Sequence, residues 1–166
     1  MQITYDPATL LAIADQNIEM RNWPSAWAVI NGIIHEFPQY GPAYNHKGWL
    51  CANVMYADRE AEDNFNIALK YAPEYHPTYV NYASLLNRLN RFEELEELLK
   101  KALEVESIDK VKLYNEWGLL QEKKGQFDAA IVSYLESIKY SVQNDEIAVL
   151  NDSVIRCKNK QKILFE

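Results

Sequence analysis

Turn-forming and cross-linking residues are scarce in this chain of 166 residues: five Gly, six Pro and two Cys. So little turn punctuation argues against an all-β fold and favours helix. Cys51 and Cys157 lie far apart and form no CxxC pair, so neither a disulfide framework nor a cysteine-based zinc site is indicated. Basic charge is also short, with 17 Lys and Arg against 24 Asp and Glu, a net charge of -7 and a pI near 5.0. Such a surface repels nucleic acid phosphates and no long basic run opposes it, so no nucleic acid partner is expected. No window of about 18 apolar residues occurs. The start, "MQITYDPATLLAIADQNIEMRNW", has no basic stretch followed by an unbroken apolar run. No membrane insertion and a cytoplasmic location are therefore expected.

The residues of chemistry are sparse as well. His35, His46 and His76 show no HExxH or paired spacing, there is no glycine-rich phosphate loop, and no Ser or Cys sits in a nucleophile-like turn. "EELEELL" at Glu93 to Leu99 has four carboxylates, but Arg91 before it and Lys100 and Lys101 after it make it a solvated helix face. No catalytic activity, metal or cofactor is expected.

What the sequence does contain is repetition. An opening position recurs at Leu10, Tyr44, Tyr79 and Tyr114, and four residues later stands a small residue each time: Ala14, Gly48, Ala83 and Gly118, at intervals of 34, 35 and 35. The following half of each unit repeats Ala26, Ala61, Leu95, Ala130, then Ile30, Phe65, Leu99, Tyr134, then Ile33, Ala68, Ala102, Ser137. Their i, i+4, i+7 spacing places each triplet on one helix face. Turn signals, "RNWPS", "YADRE", "LNRF" and "KKGQF", separate the halves. Pro38 and Pro73 close the first two units, while Ser107 and Val142 stand at the matching places of the last two.

This pattern resembles the tetratricopeptide repeat family, in which an aromatic is followed by Leu-Gly and then by Ala, an aromatic, Ala and Pro. The fourth unit fits best, with Tyr114, Trp117, Gly118, Gly125, Phe127, Ala130 and Tyr134 at matching positions, whereas Ser137 and Val142 depart from it. The resemblance implies an all-α, right-handed superhelical solenoid of antiparallel helix pairs. It forms one domain over 1–166, with units of about 7–40, 41–75, 76–109 and 110–143. The second unit has one extra residue between Gly48 and Ala61, which leaves its first-helix register open by one. Lys47 then falls where the family places a buried Leu, a misfit that a shifted register relieves.

From about 144 to 160, Ile147, Leu150, Val154 and Cys157 form a helical stripe after Asn144 or Asp145, which reads as a capping helix. Arg156, Lys158, Lys160 and Lys162 read as its solvated end, and "KILFE" as frayed or as a docking peptide.

In the family, ligands lie in the concave groove lined by the first helix of each unit. The resemblance places there Leu11 and Asp15; Asn45, His46, Trp49 and Asn53; Val80, Asn81, Ser84 and Arg88; and Lys112, Asn115, Glu116, Leu119 and Lys123. One subgroup grips a chaperone's C-terminal carboxylate with Lys, Asn, Asn, Lys and Arg. Here Asn81 and Lys112 match, but Asn45, Trp49 and Glu116 fill the other places, and a carboxylate where Arg is needed argues against that ligand. Trp49 is a candidate apolar anchor in one register and a core residue in the other. Asn45, Asn81 and Asn115 suit contact with a peptide main chain. The implied function is a protein–protein interaction scaffold for a partner peptide or helix. A self-assembling repeat protein and a secretion-type chaperone for a client protein are the alternatives.

Overall fold

Proline begins helices here rather than breaking them. In the computed structural model, which describes residues 6–165, Pro7, Pro24, Pro42 and Pro77 occupy the first turns of α1 (Pro7–Glu19), α2 (Trp23–Glu36), α3 (Gly41–Leu50) and α5 (Pro77–Arg88). A missing N–H costs nothing at those positions. The remaining helices are α4 (Asp58–Tyr71), α6 (Phe92–Ala102), α7 (Lys110–Lys123), α8 (Phe127–Tyr140) and α9 (Asn144–Phe165). Side-chain caps start several of them: Asp6 accepts from the Ala8 and Thr9 amides at 3.0 Å, and Asp109 from the Lys112 amide at 3.1 Å. Met1–Tyr5 and Glu166, and so the ends of the opening segment and of "KILFE", lie outside the described residues.

The fold class is all-α, four antiparallel helix pairs followed by a closing helix, with no strand among the described residues. The chain divides into two compact units, Met1–Leu85 and Leu86–Glu166. In the first, Ala14, Ala26, Ile30 and Leu50 form a buried cluster on which Trp23, Trp27 and Trp49 pack. In the second, α9 lays Leu150, Val154 and Cys157 against Phe127, Ala130 and Tyr134 of α8, so the end helix covers the last apolar face.

The four turns inside the pairs share one backbone device. Arg21, Tyr56, Asn90 and Gly125 all lie in the left-handed region, with φ of 56°, 54°, 57° and 74°. Just beyond, the chain closes back on the helix it has left. Asn22 N–H donates to the Asn17 carbonyl at 2.8 Å, Arg91 to Leu86 at 3.0 Å and Gln126 to Gln121 at 2.8 Å. That five-residue span is a Schellman closure. In the second pair Ala57 N–H instead reaches Cys51, six residues back, at 2.9 Å.

The added residue of the second unit is therefore absorbed where α3 runs into a π-helical turn, Cys51–Met55. No register shift follows. A Cβ on Gly48 would stand 2.8 Å from the Phe65 ring, as one on Gly118 would stand 2.5 Å from the Tyr134 ring. Lys47 stays in the leucine position and resolves the misfit by snorkelling: its Nζ donates to Asn31 Oδ1 at 2.8 Å and sits 5.1 Å from the Trp27 ring centre.

The exits between pairs differ as their sequences do. Tyr44 and Tyr79 hydroxyls donate to the Pro38 and Pro73 carbonyls, both at 2.9 Å. Tyr114, whose unit ends on Val142 instead of Pro, stacks on Tyr140 at 5.9 Å.

Candidate interaction surface

The first helices of the pairs carry polar residues whose hydrogen bonds run largely to neighbouring helices. In the compact unit Met1–Leu85, His46 turns both ring nitrogens to acceptors, the Pro42 carbonyl at 2.8 Å and Asp15 Oδ1 at 2.7 Å, and so ties α3 to α1. Asn81 Nδ2 on α5 donates to Asn45 Oδ1 on α3 at 3.0 Å. Asn45 is only 2% exposed, which corrects its expected place on the surface: its amide serves the neighbouring helix. Trp49 is half-buried and lies 6.3 Å from Trp23, spending its ring on the core cluster although the register is unshifted. Leu11 is buried, Val80 and Asn81 are half-buried, and Ser84 and Asn53 are exposed.

In the compact unit Leu86–Glu166 the same economy removes Glu116 from the surface. The residue is 8% exposed and its carboxylate accepts from Asn87 Nδ2 of α5. Burial pushes its pKa up, against the pull of Asn87 and Lys123. Lys123 donates to the Asn87 carbonyl and to Asn90 Oδ1 at 3.0 Å. The expectation that Glu116 stands on the groove edge and repels an anionic ligand is corrected: it is a helix-to-helix contact. Arg88 and Lys112 are exposed, and Asn115 and Leu119 half-buried.

The basic tail is not simply solvated. Glu122 of α7, 6% exposed at its side chain, accepts from Arg156 Nε and Lys160 Nζ of α9, each at 2.8 Å, and from the Tyr134 hydroxyl at 2.8 Å. The Arg156 guanidinium first of all, then Lys160 and Tyr134, hold the Glu122 carboxyl down at about 2. Nothing in spacing alone pairs residues 34 positions apart. The bridge joins a carboxylate near the end of α7 to two cations that the sequence reads as solvated.

Where α7 and α9 begin, they leave a cleft of about 320 Å³. Val111, Lys112 and Asn115 line it from α7, and Asp145, Glu146, Val149 and Leu150 from α9. The sequence points to Lys112 and Asn115; it gives no sign of the four α9 residues, because that helix reads only as a cap.

Neither cysteine is prepared for nucleophilic chemistry. Burial raises the Cys51 thiol and pushes that of Cys157 up to about 11, so neither supplies a ready thiolate. Among the described residues no group of three or more His, Cys, Asp or Glu is placed to hold a metal ion, and no helix is long and apolar enough to cross a membrane.

The sequence profile of the tetratricopeptide repeat matches residues 76–109 and 111–143. These two units are tetratricopeptide repeats. Such repeats are in general non-catalytic modules for protein–protein interaction. No curated protein sequence matches the chain. Solved structures do. A thermophilic tetratricopeptide protein of Thermus thermophilus superposes with a TM-score of 0.75 at 17% identity, over 90% of this chain and 82% of that one. PilF of Pseudomonas aeruginosa does so with 0.82 at 14%, over 94% and 69%. YrrB, described as a tetratricopeptide protein with an unusual peptide-binding site, gives 0.65 at 18%, over 96% and 81%. At these identities the likeness is one of fold.

Proposed function

We propose that this chain is a non-catalytic scaffold over 1–166 that holds an extended or helical segment of a protein partner against the outward faces of its first helices. The observation that carries the reading is the division of labour on α7. Leu113, Gly118 and Leu120 are buried, whereas Lys112 and Asn115 keep their surface and line a cleft with an apolar floor. An exposed cation and a half-buried amide above aliphatic groups suit a peptide main chain and one apolar side chain. In the compact unit Met1–Leu85, Asn81 and Ser84 are the matching contacts. Asn45 and Glu116 act behind them, on Asn81 and Asn87. YrrB, of the same fold, has a peptide-binding site by its description, which supports the class of ligand. A chaperone tail is not proposed, because no cation stands where Glu116 is.

Cys51 and Cys157 are both unbridged and buried, which suits a reducing compartment, so the cytoplasm is the location proposed. The test is affinity capture from the native cell with quantitative mass spectrometry, comparing wild type, Asn115→Ala, Ser84→Ala and an exposed control on α6, Lys101→Ala. A partner whose recovery falls about fivefold or more with Asn115→Ala and not with the control supports the site. Recovery equal across all variants sinks it.

A further inference from the structure

We propose that the cleft between α7 and α9 is the acceptor for the α9 tip of a second copy of this chain. The proposal rests on the reading of this face as a docking surface and names one of its occupants. The cleft has an aliphatic floor, Val111, Val149 and Leu150, with Asp145 and Glu146 on its α9 side. Val149 is 66% exposed, a large apolar group left uncovered beside buried Leu150. About four helical turns further along α9 the complement is on display. Lys162 is exposed and pairs with no carboxylate among the described residues, and Ile163 and Leu164 beside it are 80% and 62% exposed.

Charge is segregated along α9 in the same sense. Asp145, Glu146 and Asp152 fall in its first half, and Arg156, Lys158, Lys160 and Lys162 in its second. The helix dipole favours that order in any isolated helix. It accounts for neither the uncovered aliphatic pair nor the cleft that matches it. Arg156 and Lys160 are taken by Glu122, which leaves Lys158 and Lys162 to meet another molecule.

Cleft and tip stand toward opposite ends of one helix, about 20 Å apart from Val149 to Ile163 at the usual helical rise. Two α9 helices laid antiparallel therefore place each tip on the other's cleft at once. Lys162 meets Asp145, Ile163 and Leu164 cover Val149 and Val111, and the contact closes as an isologous dimer. An interface confined largely to one helix is small, so the pairing is weak, with half-dimerisation expected at about 10–100 µM.

The test is sedimentation equilibrium of the full chain from about 1 to 500 µM, with circular dichroism to confirm folding of each variant. Wild type is expected to pass from monomer to dimer. Val149→Asp in the cleft and Ile163→Asp at the tip, both exposed positions, are each expected to weaken dimerisation at least about tenfold. Asp145→Lys and Lys162→Glu weaken it singly, and the double variant D145K/K162E, which reverses both ends of the contact, restores it. A monomer throughout the range, a dimer indifferent to Val149→Asp and Ile163→Asp, or growth past the dimer without saturation overturns the proposal. Mass is read here without any partner, so such a failure leaves the scaffold reading standing. Loss of Asn115-dependent capture with an intact dimer does the reverse.

Discussion

The second and fourth helix pairs solve one packing problem with different means. In both, a glycine on the first helix receives an aromatic ring from the second, Gly48 under Phe65 and Gly118 under Tyr134. The fourth pair holds its ring by a hydrogen bond from the Tyr134 hydroxyl to Glu122, itself clamped by Arg156 and Lys160. The second pair has no such tether on Phe65, carries one more residue, and takes that residue into a π-helical turn. The difference teaches that what the repeat requires is the contact between small residue and ring. Chain length between them and polar support around them are free to vary as long as that contact survives.

The largest expected effect tests the contact itself. Gly118→Ala pushes a methyl into a ring that cannot swing away and should cost about 3 kcal/mol in urea unfolding. Gly48→Ala meets a phenylalanine held by packing alone, against Tyr82 at 5.5 Å, with no hydrogen bond, and should cost about half of that. Equal losses would show that the tether contributes nothing.

Next comes the clamp. Glu122 lies far below its ordinary value of 4.5 when folded, at about 2, so its contribution is present above about pH 4.5 and is lost as pH falls from there toward 2. Glu122→Gln should therefore lower stability by roughly 2 kcal/mol at pH 7, a figure discounted because Arg156 and Lys160 are half-exposed. Thermal melts of the two proteins should converge toward pH 2. A gap that is constant with pH would mean that packing, not charge, is lost.

Smaller effects come from the turns. Gly125→Ala should cost about 1 kcal/mol, since its φ of 74° is one that side chains rarely adopt. Tyr56→Gly, at the matching turn, should gain a similar or slightly smaller amount, visible as a higher melting temperature. The smallest change is expected from deleting Asn53, an exposed residue of the π turn. The turn then becomes an ordinary α-helical one, and stability should move by less than about 1 kcal/mol. A cooperative unfolding lost on that deletion would mean that the π geometry is required.

Much of the fold was legible because it depends on local periodicity and side-chain size. Gly118, Ala130 and Tyr134 announce a helix pair by spacing alone, and Leu150, Val154 and Cys157 announce a covering face. The left-handed turn was visible at Gly125 and Asn90, two residue types that favour it, whereas Arg21 and Tyr56 adopt it without such a signal. The candidate surface was legible only as a set of faces. A polar residue on the outward side of a first helix has the same spacing whether its hydrogen bond goes to a ligand or to the next first helix. Asn45 and Glu116 went to the neighbour, Lys112 and Asn115 stayed on the surface, and the α9 wall of their cleft carried no local mark.

By itself the sequence determined the repeat length, the helix pairs, the small positions that let them close, and the repeat type, because all of these follow from spacing and volume within some 35 residues. Tertiary structure alone decided how the additional residue of the second unit is stored, which polar groups are spent between helices, and where a cleft remains. Those outcomes depend on partners brought together from well outside one helix, 16 positions apart for Lys47 with Asn31 and 38 for Lys160 with Glu122. Over such separations the residue type states a capacity for a bond, and only the packed neighbours state with whom it is made.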